Sequence, residues 1–546
     1  MNKTLPAVLA VVAVGTLSCG PAGQSPPTGS GEDPGTPRYG GVLNVEVTTD
    51  PWDWDISYSK SSPNDDGIAL AYDSLLTFKT GQELEYNELI VQPKLAERWE
   101  VSPDARSFTF HLRKGVKFQD LPPVNGRELT SADVKFTFEY RTRSGQFKDK
   151  KLPQGEVDYI FEGMERIETP DPYTVVVHFK APFIPFVNYA ASDWNPILPR
   201  EIYDQDGHFR ERMVGAGAYI LDTAATQKGS RWVWKKNPRY WDSGKPYLDE
   251  IRWLVIPHDA TAQAAFQTKQ LDILDGVEYQ DAQTVTKGSP QALQLRHLGA
   301  VAGLMYFSMV PARGSPLQDV RLRRAMQRAV DRDEINRVAM GGQGEWGVSG
   351  AFHGLFTEAE ARQLQKQDPE EARRLVIEAG YPNGVSLEWP VPGDTAQSDV
   401  SVMELLQAQL KKAGINIDLV FLDRASQRGK RRSGDFDIDG QMFPALGLMH
   451  DDPDSVVFGR LFSKSRQNYG KMNDPEVDRL VVASRAESDP EKRREIMRAA
   501  ARRVVEMAYT VALLHGPSWD FWQPHVKNFK HNFGAQAAYE FAWLGN

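Results

Sequence analysis

Cys19 is the only cysteine in a chain of 546 residues, and it lies close to the amino terminus. The rest of the chain cannot form a disulfide framework, so a hydrophobic core must hold the fold together. A chain of this length can bury a large core, and a usual domain size of roughly 150 residues predicts about three domains. We therefore expect a multidomain fold that is stable without covalent cross-links.

The residues before Cys19 have the pattern of a secretory signal. Lys3 supplies a positive charge, the run 5–17 is mostly apolar, and Ser18 is small. Because the apolar run is shorter than the roughly 20 residues of a membrane-spanning helix, it predicts a cleaved signal over residues 1–18. No later run is long enough to span a bilayer, so the mature body is expected to be soluble and exported.

Cys19 stands directly after the predicted cleavage site. A cleaved signal followed by cysteine resembles the signals of bacterial lipoproteins, in which the thiol receives a diacylglycerol, although Thr16 departs from the leucine that this class prefers. The resemblance implies lipidation of Cys19 and a membrane-anchored lipoprotein on the periplasmic or cell-surface side; an ordinary export signal is the alternative. Residues 19–37 are rich in Pro, Gly and Ser, which predicts a flexible tether.

The charge and the aromatic content narrow the class of partner. The formal net charge is −9, which argues against a nucleic acid as a partner. The 13 tryptophans exceed what a signal or tether needs, and they suit a protein that grips flat or amphipathic ligands as well as a large core. A solute is therefore favoured over a polyanion.

Strand patterns and helix patterns alternate along the body of the chain. Ser131 or Thr130 is expected to cap a helix that begins there. Strands are predicted at 42–47, 107–112, 173–179, 231–234, 251–256, 415–421 and 436–438, and helices at 69–78, 321–339, 369–379, 402–413 and 487–506. The alternation without a fixed repeat predicts an α/β or α+β fold with several sheets.

A series of short sequence segments, here called blocks, indicates a family for this chain. They include GGVLNVEVTTDP, SFTFHLRKGVKF, VGAGAYIL and KNPRYW, and their order along the chain is specific although each alone is weak. The blocks lie at 40–51, 95–120, 128–139, 214–221, 236–273, 319–335, 434–438 and 473–480. Together they resemble the extracellular solute-binding proteins of the oligopeptide and dipeptide (peptide/nickel) class, the receptors of ABC importers, over roughly residues 39–532.

The resemblance implies a bilobal clam of the type II periplasmic-binding-protein fold, in the large three-domain class. It places lobe I at 38–72, 195–296 and 512–546, an additional domain at 73–194, and lobe II at 297–511. Two crossings between the lobes form a hinge, and the ligand lies between closing lobes. It implies a monomer that captures a peptide-like solute and delivers it to a membrane ABC permease, without a cofactor.

The first candidate contacts follow the first predicted strand. The family offers this strand end to the ligand, which implies contacts from Thr49, Asp50, Trp52 and Trp54. In an extended segment the two tryptophans face one way and Asp53 the other. The alternative is that one tryptophan belongs to the core and the neighbouring acids are solvated.

Further candidate contacts lie at the predicted crossings and in a glycine-rich loop. Asp193 could accept from a cation and Trp194 could stack on a ligand, or Trp194 could merely pack at the hinge. Tyr306 and Ser308 lie where the family has an aromatic residue followed by Asn, so Ser308 is a departure. Trp346 lies in the sequence GGQGEWGVSG, whose glycines indicate a mobile cleft loop.

The stretch 439–454 departs most from the family pattern. Peptide receptors of this class often carry a Gly-Trp and then an aspartate that pairs with the α-ammonium of the peptide. Here Phe443 replaces the tryptophan, and the acid position falls on Leu446 or Met449. Unless Asp451 takes its place, the anchor is missing, which favours a ligand without a free α-ammonium there. Phe443, His450 and Asp451 complete the candidate contacts.

Enzymatic and metal sites find no support in the sequence. It contains no G-x-S-x-G and no H-E-x-x-H motif, and its ten histidines are scattered without metal-ligand spacing. We therefore predict a binding protein that is not an enzyme and holds no metal. Two alternatives stay open, an oligosaccharide receptor of the same fold and a secreted hydrolase.

Overall fold

A computed structural model describes most of the body of the protein. The described residues are 35–51, 53–55, 62–80, 84, 89–152, 158–307, 314–348, 355–393, 395, 397–441, 452, 454, 457–529 and 539–545. The predictions for Cys19, Trp52, Ser308, Phe443, His450 and Asp451 lie outside them. Within the part that is described, no helix combines the length and the apolar character needed to cross a bilayer.

The strands and helices alternate as the sequence predicts. The strands are β1 (Val42–Val47), β2 (Leu76–Phe78), β3 (Val91–Pro93), β4 (Ala96–Val101), β5 (Ser107–Leu112), β6 (Met164–Asp171), β7 (Thr174–Phe179), β8 (Tyr219–Leu221), β9 (Arg231–Lys236), β10 (Glu250–Val255), β11 (Ile273–Glu278), β12 (Leu293–Phe307), β13 (Glu345–Trp346), β14 (Val385–Pro392), β15 (Ile415–Leu422), β16 (Ile438–Gln441), β17 (Thr510–Trp522), β18 (Val526–Lys527) and β19 (Trp543–Leu544). The helices are α1 (Ser62–Ala71), α2 (Ser131–Thr142), α3 (Phe186–Ala191), α4 (Arg200–Asp206), α5 (Asp259–Gln267), α6 (Tyr279–Gly288), α7 (Val320–Ala329), α8 (Arg332–Ala339), α9 (Glu358–Leu364), α10 (Pro369–Glu378), α11 (Gln397–Lys412), α12 (Arg424–Ser433), α13 (Pro475–Ala486) and α14 (Pro490–Glu506).

One large sheet runs through the molecule in the order β16-β12-β17-β11-β1-β10-β9-β8, with β13 paired to β17. β1 is parallel to β10 and to β11, whereas β12 and β17 are long antiparallel partners. Their pairing extends from Leu293 opposite Trp522 to Tyr306 opposite Thr510, with two irregularities between Leu298 and Leu304. A separate antiparallel sheet has the order β4-β5-β7-β6.

The buried apolar side chains form two large cores. The first core includes Leu43, Phe110 and Trp234, and the four-stranded sheet contributes to it; the second lies between Met305 and Leu514 in the chain. A smaller cluster packs α5 and α6 on β11 and β17. We call the parts of the molecule around the first and second cores the first lobe and the second lobe. β12 and β17 run from one to the other.

Aspartate side chains start most helices of the second lobe. Each accepts a hydrogen bond from a backbone N–H of the first helical turn, which is the role that favours Asp at this position. The capping residues of α7, α8, α10, α12, α13 and α14 are Asp319, Asp331, Asp368, Asp423, Asp474 and Asp489. In the first lobe, Thr130 is the residue before α2, and its N–H donates to Asp133.

Two predicted helices differ from those observed. The predicted helix over 69–78 is wrong beyond Ala71, where α1 ends, and β2 follows at Leu76. The turn between them holds Asp73, which is buried and pairs with Lys94 at 3.0 Å. The predicted helix over 321–339 is two helices, because Asp331 leaves the helical conformation to cap α8.

Gly215 and Gly217 are needed where the backbone before β8 approaches the end of α1. A Cβ on Gly217 would lie 2.5 Å from the carbonyl carbon of Ala71, and one on Gly215 would lie 2.0 Å from the oxygen of Ala71. Since these neighbours are backbone atoms, they cannot rotate away. Only residues without a side chain fit at these two positions.

We predict that Gly217→Ala lowers the free energy of unfolding by about 3 kcal/mol, because the added methyl group forces a backbone shift in a packed core. Gly429→Ala is the matched control. It lies inside α12, where a methyl group would meet no atom within 4 Å, and it should gain about 0.5–1 kcal/mol from helix propensity. Urea unfolding followed by tryptophan fluorescence measures both; equal effects would contradict the packing argument.

Candidate functional site

The end of β1 is tied to the first lobe. The carboxylate of Asp50 accepts from the Gly229 N–H at 2.7 Å and from the Trp232 Nε1–H at 2.7 Å. Thr49, next to it, is exposed. Asp50 therefore fixes the strand end to the loop before β9, and Thr49 is the residue of this pair that is open to solvent.

Trp54 and the acids beside it lie inside the first lobe. Trp54 is 6% exposed and meets the rings of Trp232 and Trp234 edge-on at 5.6 and 6.0 Å. Asp53 pairs with Arg210 at 2.9 Å, and both Asp53 and Asp55 are buried. The alternative interpretation, one tryptophan in the core beside solvated acids, agrees with Trp54 but not with the buried Asp53 and Asp55. Arg210, which pairs with Asp53, is distant in the sequence.

Asp193 and Trp194 follow α3 in the first lobe. Trp194 is 3% exposed, and its carbonyl accepts from the Arg141 Nη1 at 2.8 Å. Asp193 is partly exposed. Burial alone would lower the pKa of Lys94, but Asp73 raises it well above the usual value, with a smaller contribution from Asp193. Burial of this degree is usual for a packing aromatic, so a stacking role for Trp194 stays a prediction.

Trp346 belongs to a paired strand in the second lobe. β13 pairs with β17, and Trp346 is opposite Leu514. The Trp346 Nε1–H donates to Asp333 at 3.0 Å, and the Arg362 guanidinium lies 4.5 Å from the ring centre. A Cβ on Gly347 would lie 2.1 Å from Nε2 of His515 in β17. The glycine beside Trp346 thus permits close packing on β17, where the sequence indicated a mobile loop.

The backbone of Tyr306 lies near the second-lobe end of β12. It pairs with Thr510 of β17 on one side and with Asp439 of β16 on the other. Asp439 is buried and forms an ion pair with Arg431 at 2.8 Å. The Arg431 and Arg460 guanidinium groups lie 5.3 and 5.5 Å from the ring centre of Tyr469. The described residues that precede the predicted contacts at 443–451 in the chain thus belong to a charged and aromatic part of the second lobe.

The two lobes meet at a set of contacts that the sequence prediction missed. Asp452 and Asp454 are 0% and 2% exposed. Each accepts a hydrogen bond from the first lobe, from the Asn188 Nδ2 and from the Tyr189 hydroxyl, both at 3.0 Å. We call these four residues, together with Arg485 and Arg493, the interlobe seam.

Two arginines of the second lobe hold the acids of the seam. Arg485 donates to both oxygens of Asp454, at 2.7 and 2.8 Å, and Arg493 donates to both oxygens of Asp452. Burial alone would lower the pKa of Arg493, but the carboxylate of Asp452 outweighs it and raises that pKa. The sequence alone does not show that these arginines are the partners of Asp452 and Asp454.

The comparisons with known proteins assign this architecture. The family model for bacterial extracellular solute-binding proteins, family 5, middle region, matches residues 91–468, which is more than half of the chain. The chain belongs to this family. Its members are solute-binding receptors of transport systems, here of the peptide/nickel ABC class, and they are not enzymes. The family prediction and the prediction of a non-enzyme are confirmed.

Relatives and solved structures agree with the family. The chain is 27% identical over 490 residues to the dipeptide-binding protein of Escherichia coli K12, covering 85% of this chain and 88% of the relative. It is 29% identical over 358 residues to the glutathione-binding protein GsiB of Salmonella choleraesuis, covering 64% and 65%. The binding protein AgaA of A. tumefaciens R10, solved with agropinic acid, superposes with a TM-score of 0.77 at 25% identity over 93% of this chain and 99% of AgaA.

A second structure supports the fold class. The binding protein DppA of Helicobacter pylori, solved with the peptide STSA, has a TM-score of 0.77 at 22% identity over 93% of this chain and 98% of DppA. The prediction of a bilobal type II binding-protein fold is confirmed. Members of the family are extracellular or periplasmic proteins.

Proposed function

We propose that this protein captures an oligopeptide or a peptide-like solute between its lobes and delivers it to an ABC permease. The family match over 91–468 supports the receptor role. Peptide as the solute is supported by the dipeptide-binding and glutathione-binding relatives. The lobe boundaries of this proposal are those predicted from the sequence, and the separate second core between Met305 and Leu514 supports the division.

The proposed ligand contacts are the predicted ones. Among the described residues, those with exposed side chains are the stronger candidates. Thr49 is exposed and Asp193 is partly exposed, so both have side-chain atoms open to a solute. Asp50, Trp54, Trp194 and Trp346 are engaged within their own lobes, and contact from them requires local rearrangement. Tyr306, Ser308, Phe443, His450, Asp451 and Trp52 complete the proposed set.

We also propose that Cys19 carries a lipid and that residues 19–37 tether the body to the membrane. The position of this lone cysteine after an apolar run supports the anchor. The expected result for Cys19→Ser is release of the protein from the membrane fraction, which fractionation and an immunoblot detect.

The nature of the peptide amino terminus provides the sharpest test of the solute. If no acid occupies the anchor position, a free peptide and its N-acetylated counterpart should bind with affinities within about threefold, because no buried ion pair is lost. Isothermal titration calorimetry with a tripeptide library and its acetylated counterpart measures this. A loss of tenfold or more on acetylation would assign an ammonium anchor, for which Asp451 is the first candidate.

The same titrations distinguish between the alternative ligands of the receptor. Oligosaccharide pools and haem are the comparison arms; haem is included because the chain is also 26% identical over 503 residues to heme-binding protein A of Haemophilus influenzae. Binding of an oligosaccharide pool with no binding of either peptide form would overturn the peptide proposal while leaving the receptor role intact.

A further inference from the structure

We propose that the interlobe seam is a latch, meaning a set of polar contacts away from the hinge that stabilises the closed arrangement of the lobes. The hinge strands β12 and β17 connect the lobes covalently, whereas the seam joins α3 of the first lobe to the second lobe through Asp452 and Asp454. The inference rests on the proposed function only in that closure captures the solute.

The acids of the seam keep their charge partners when the lobes separate. Arg485 and Arg493 lie on α13 and α14, and the acids that they hold belong to the same lobe. The Asp454 N–H also donates to Asp452 at 2.8 Å, which fixes the two acids relative to each other. Opening therefore leaves no unpaired buried charge, and the second lobe presents preorganised acceptors to the first.

The hydrogen bonds from the first lobe that the described residues show are of the kind that water can replace. Asn188 donates to Asp452, Tyr189 donates to Asp454, and the Ile184 N–H donates to the carbonyl of Arg485 at 2.9 Å. The Arg485 guanidinium lies 4.7 Å from the ring centre of Phe183 in the first lobe. Because these donors can bind water after separation, the seam can part without a large penalty.

The apolar cores do not merge across the seam. Phe183, Phe186 and Tyr189 belong to the first core, and Phe458 and Val481 belong to the second. A permanent joint between domains is usually apolar, whereas a joint that opens and closes is more polar. The polar seam between two separate cores therefore has the character of a reversible contact.

Double electron–electron resonance measures the distance between spin labels on the two lobes, and it tests the latch without any ligand. The described body contains no cysteine of its own, so Lys228→Cys and Lys411→Cys place one label on an exposed position of each lobe in a Cys19→Ser background. Into this background we introduce Tyr189→Phe with Asn188→Ala. The ratio of closed to open molecules should fall about tenfold, as expected for loss of hydrogen bonds to carboxylates.

Tyr140→Phe is the matched control. The Tyr140 hydroxyl donates to Asp55 at 2.6 Å, and both residues are buried within the first lobe. The control should lower the melting temperature to a similar extent while leaving the interlobe distances unchanged. If the double variant does not fold, Tyr189→Phe alone removes a single oxygen and should lower the ratio about threefold.

An unchanged distance distribution in the folded Tyr189→Phe variants would overturn the latch and make the seam a fixed joint. The latch is equally overturned if Tyr140→Phe shifts the distances as much as Tyr189→Phe does. Failure of the proposed function appears elsewhere, as absence of solute binding in calorimetry, because the distance measurement contains no solute.

Discussion

Replacing Asp454 with asparagine is expected to destabilise the second lobe by about 3–5 kcal/mol, because it leaves the buried Arg485 guanidinium without a carboxylate. Arg485 donates to both oxygens of Asp454, and its guanidinium lies 3.1 Å from the ring centre of Phe458. The aromatic ring offers the cation some attraction but cannot replace a bidentate acceptor. Urea unfolding of the wild type and Asp454→Asn measures the difference.

The pair Glu476 and Arg479 on α13 provides the control for Asp454→Asn. These side chains are 2.8 Å apart but largely exposed, at 48% and 63%. Glu476→Gln should change the free energy of unfolding by less than about 0.5 kcal/mol, since solvent already screens this pair. If Asp454→Asn is equally mild, water enters the site and hydrates Arg485, and the seam is less tightly packed than its burial indicates.

The same substitution separates the stability of the second lobe from the contact between lobes. Asp454→Asn weakens the Arg485 pair, whereas Tyr189→Phe leaves it intact and removes only the donor from the first lobe. We expect a large loss of stability from the first variant and a shift in lobe closure from the second. The two variants therefore separate the role of the acid, which belongs to the second lobe, from the role of the donor, which belongs to the first.

Short-range patterns account for what was predicted well. β1 was predicted over its observed bounds, Val42–Val47, and its side chains alternate in burial as those of a strand do. The break between α7 and α8 also had a local signal that was overlooked. Glu334 follows Asp331 by three residues, and the Asp331 carboxylate accepts a hydrogen bond from the Glu334 N–H.

Contacts between distant residues account for what was missed. Asp73 ends α1 in a buried turn because Lys94 and the indole N–H of Trp241 reach it, and neither partner is near in sequence. Asp53 is buried under Arg210 for the same reason. A carboxylate in a polar stretch looks solvated until its cation is located, so a single sequence could not separate the structural acids near β1 from ligand contacts.

The family pattern predicted ligand contacts at 443–451 but did not reveal the seam. The partners of the seam acids, Arg485 and Arg493, lie 31 and 41 positions later on two helices that pack together. Since the spacing of two helices fixes this geometry, no local motif encodes it.

Glu46→Gln is expected to stabilise the protein at pH 8 and to leave it nearly unchanged at pH 5. Burial, together with the negative charges of Asp275 and Asp259, raises the pKa of Glu46 from 4.5 to about 8. The folded protein therefore keeps this carboxyl neutral at pH 7, whereas the unfolded chain ionises it. Glutamine resembles the neutral form and has no charge to hydrate in the unfolded chain.

The sign of the pH dependence follows from the raised pKa of Glu46 in the folded state. Between pH 4.5 and pH 8 the unfolded chain loses this proton first, so Glu46 lowers the stability of the wild type as the pH rises, and its effect levels off above pH 8. The gain of Glu46→Gln over the wild type should therefore grow across this window and reach about 2–4 kcal/mol at pH 8, somewhat less than the full shift implies because the carboxyl is only partly buried.

Urea unfolding at pH 5 and pH 8 checks the Glu46 prediction, with Glu97→Gln showing what an amide does at an exposed strand position. A gain of the same size at both pH values would mean that Glu46 is ionised in the folded protein.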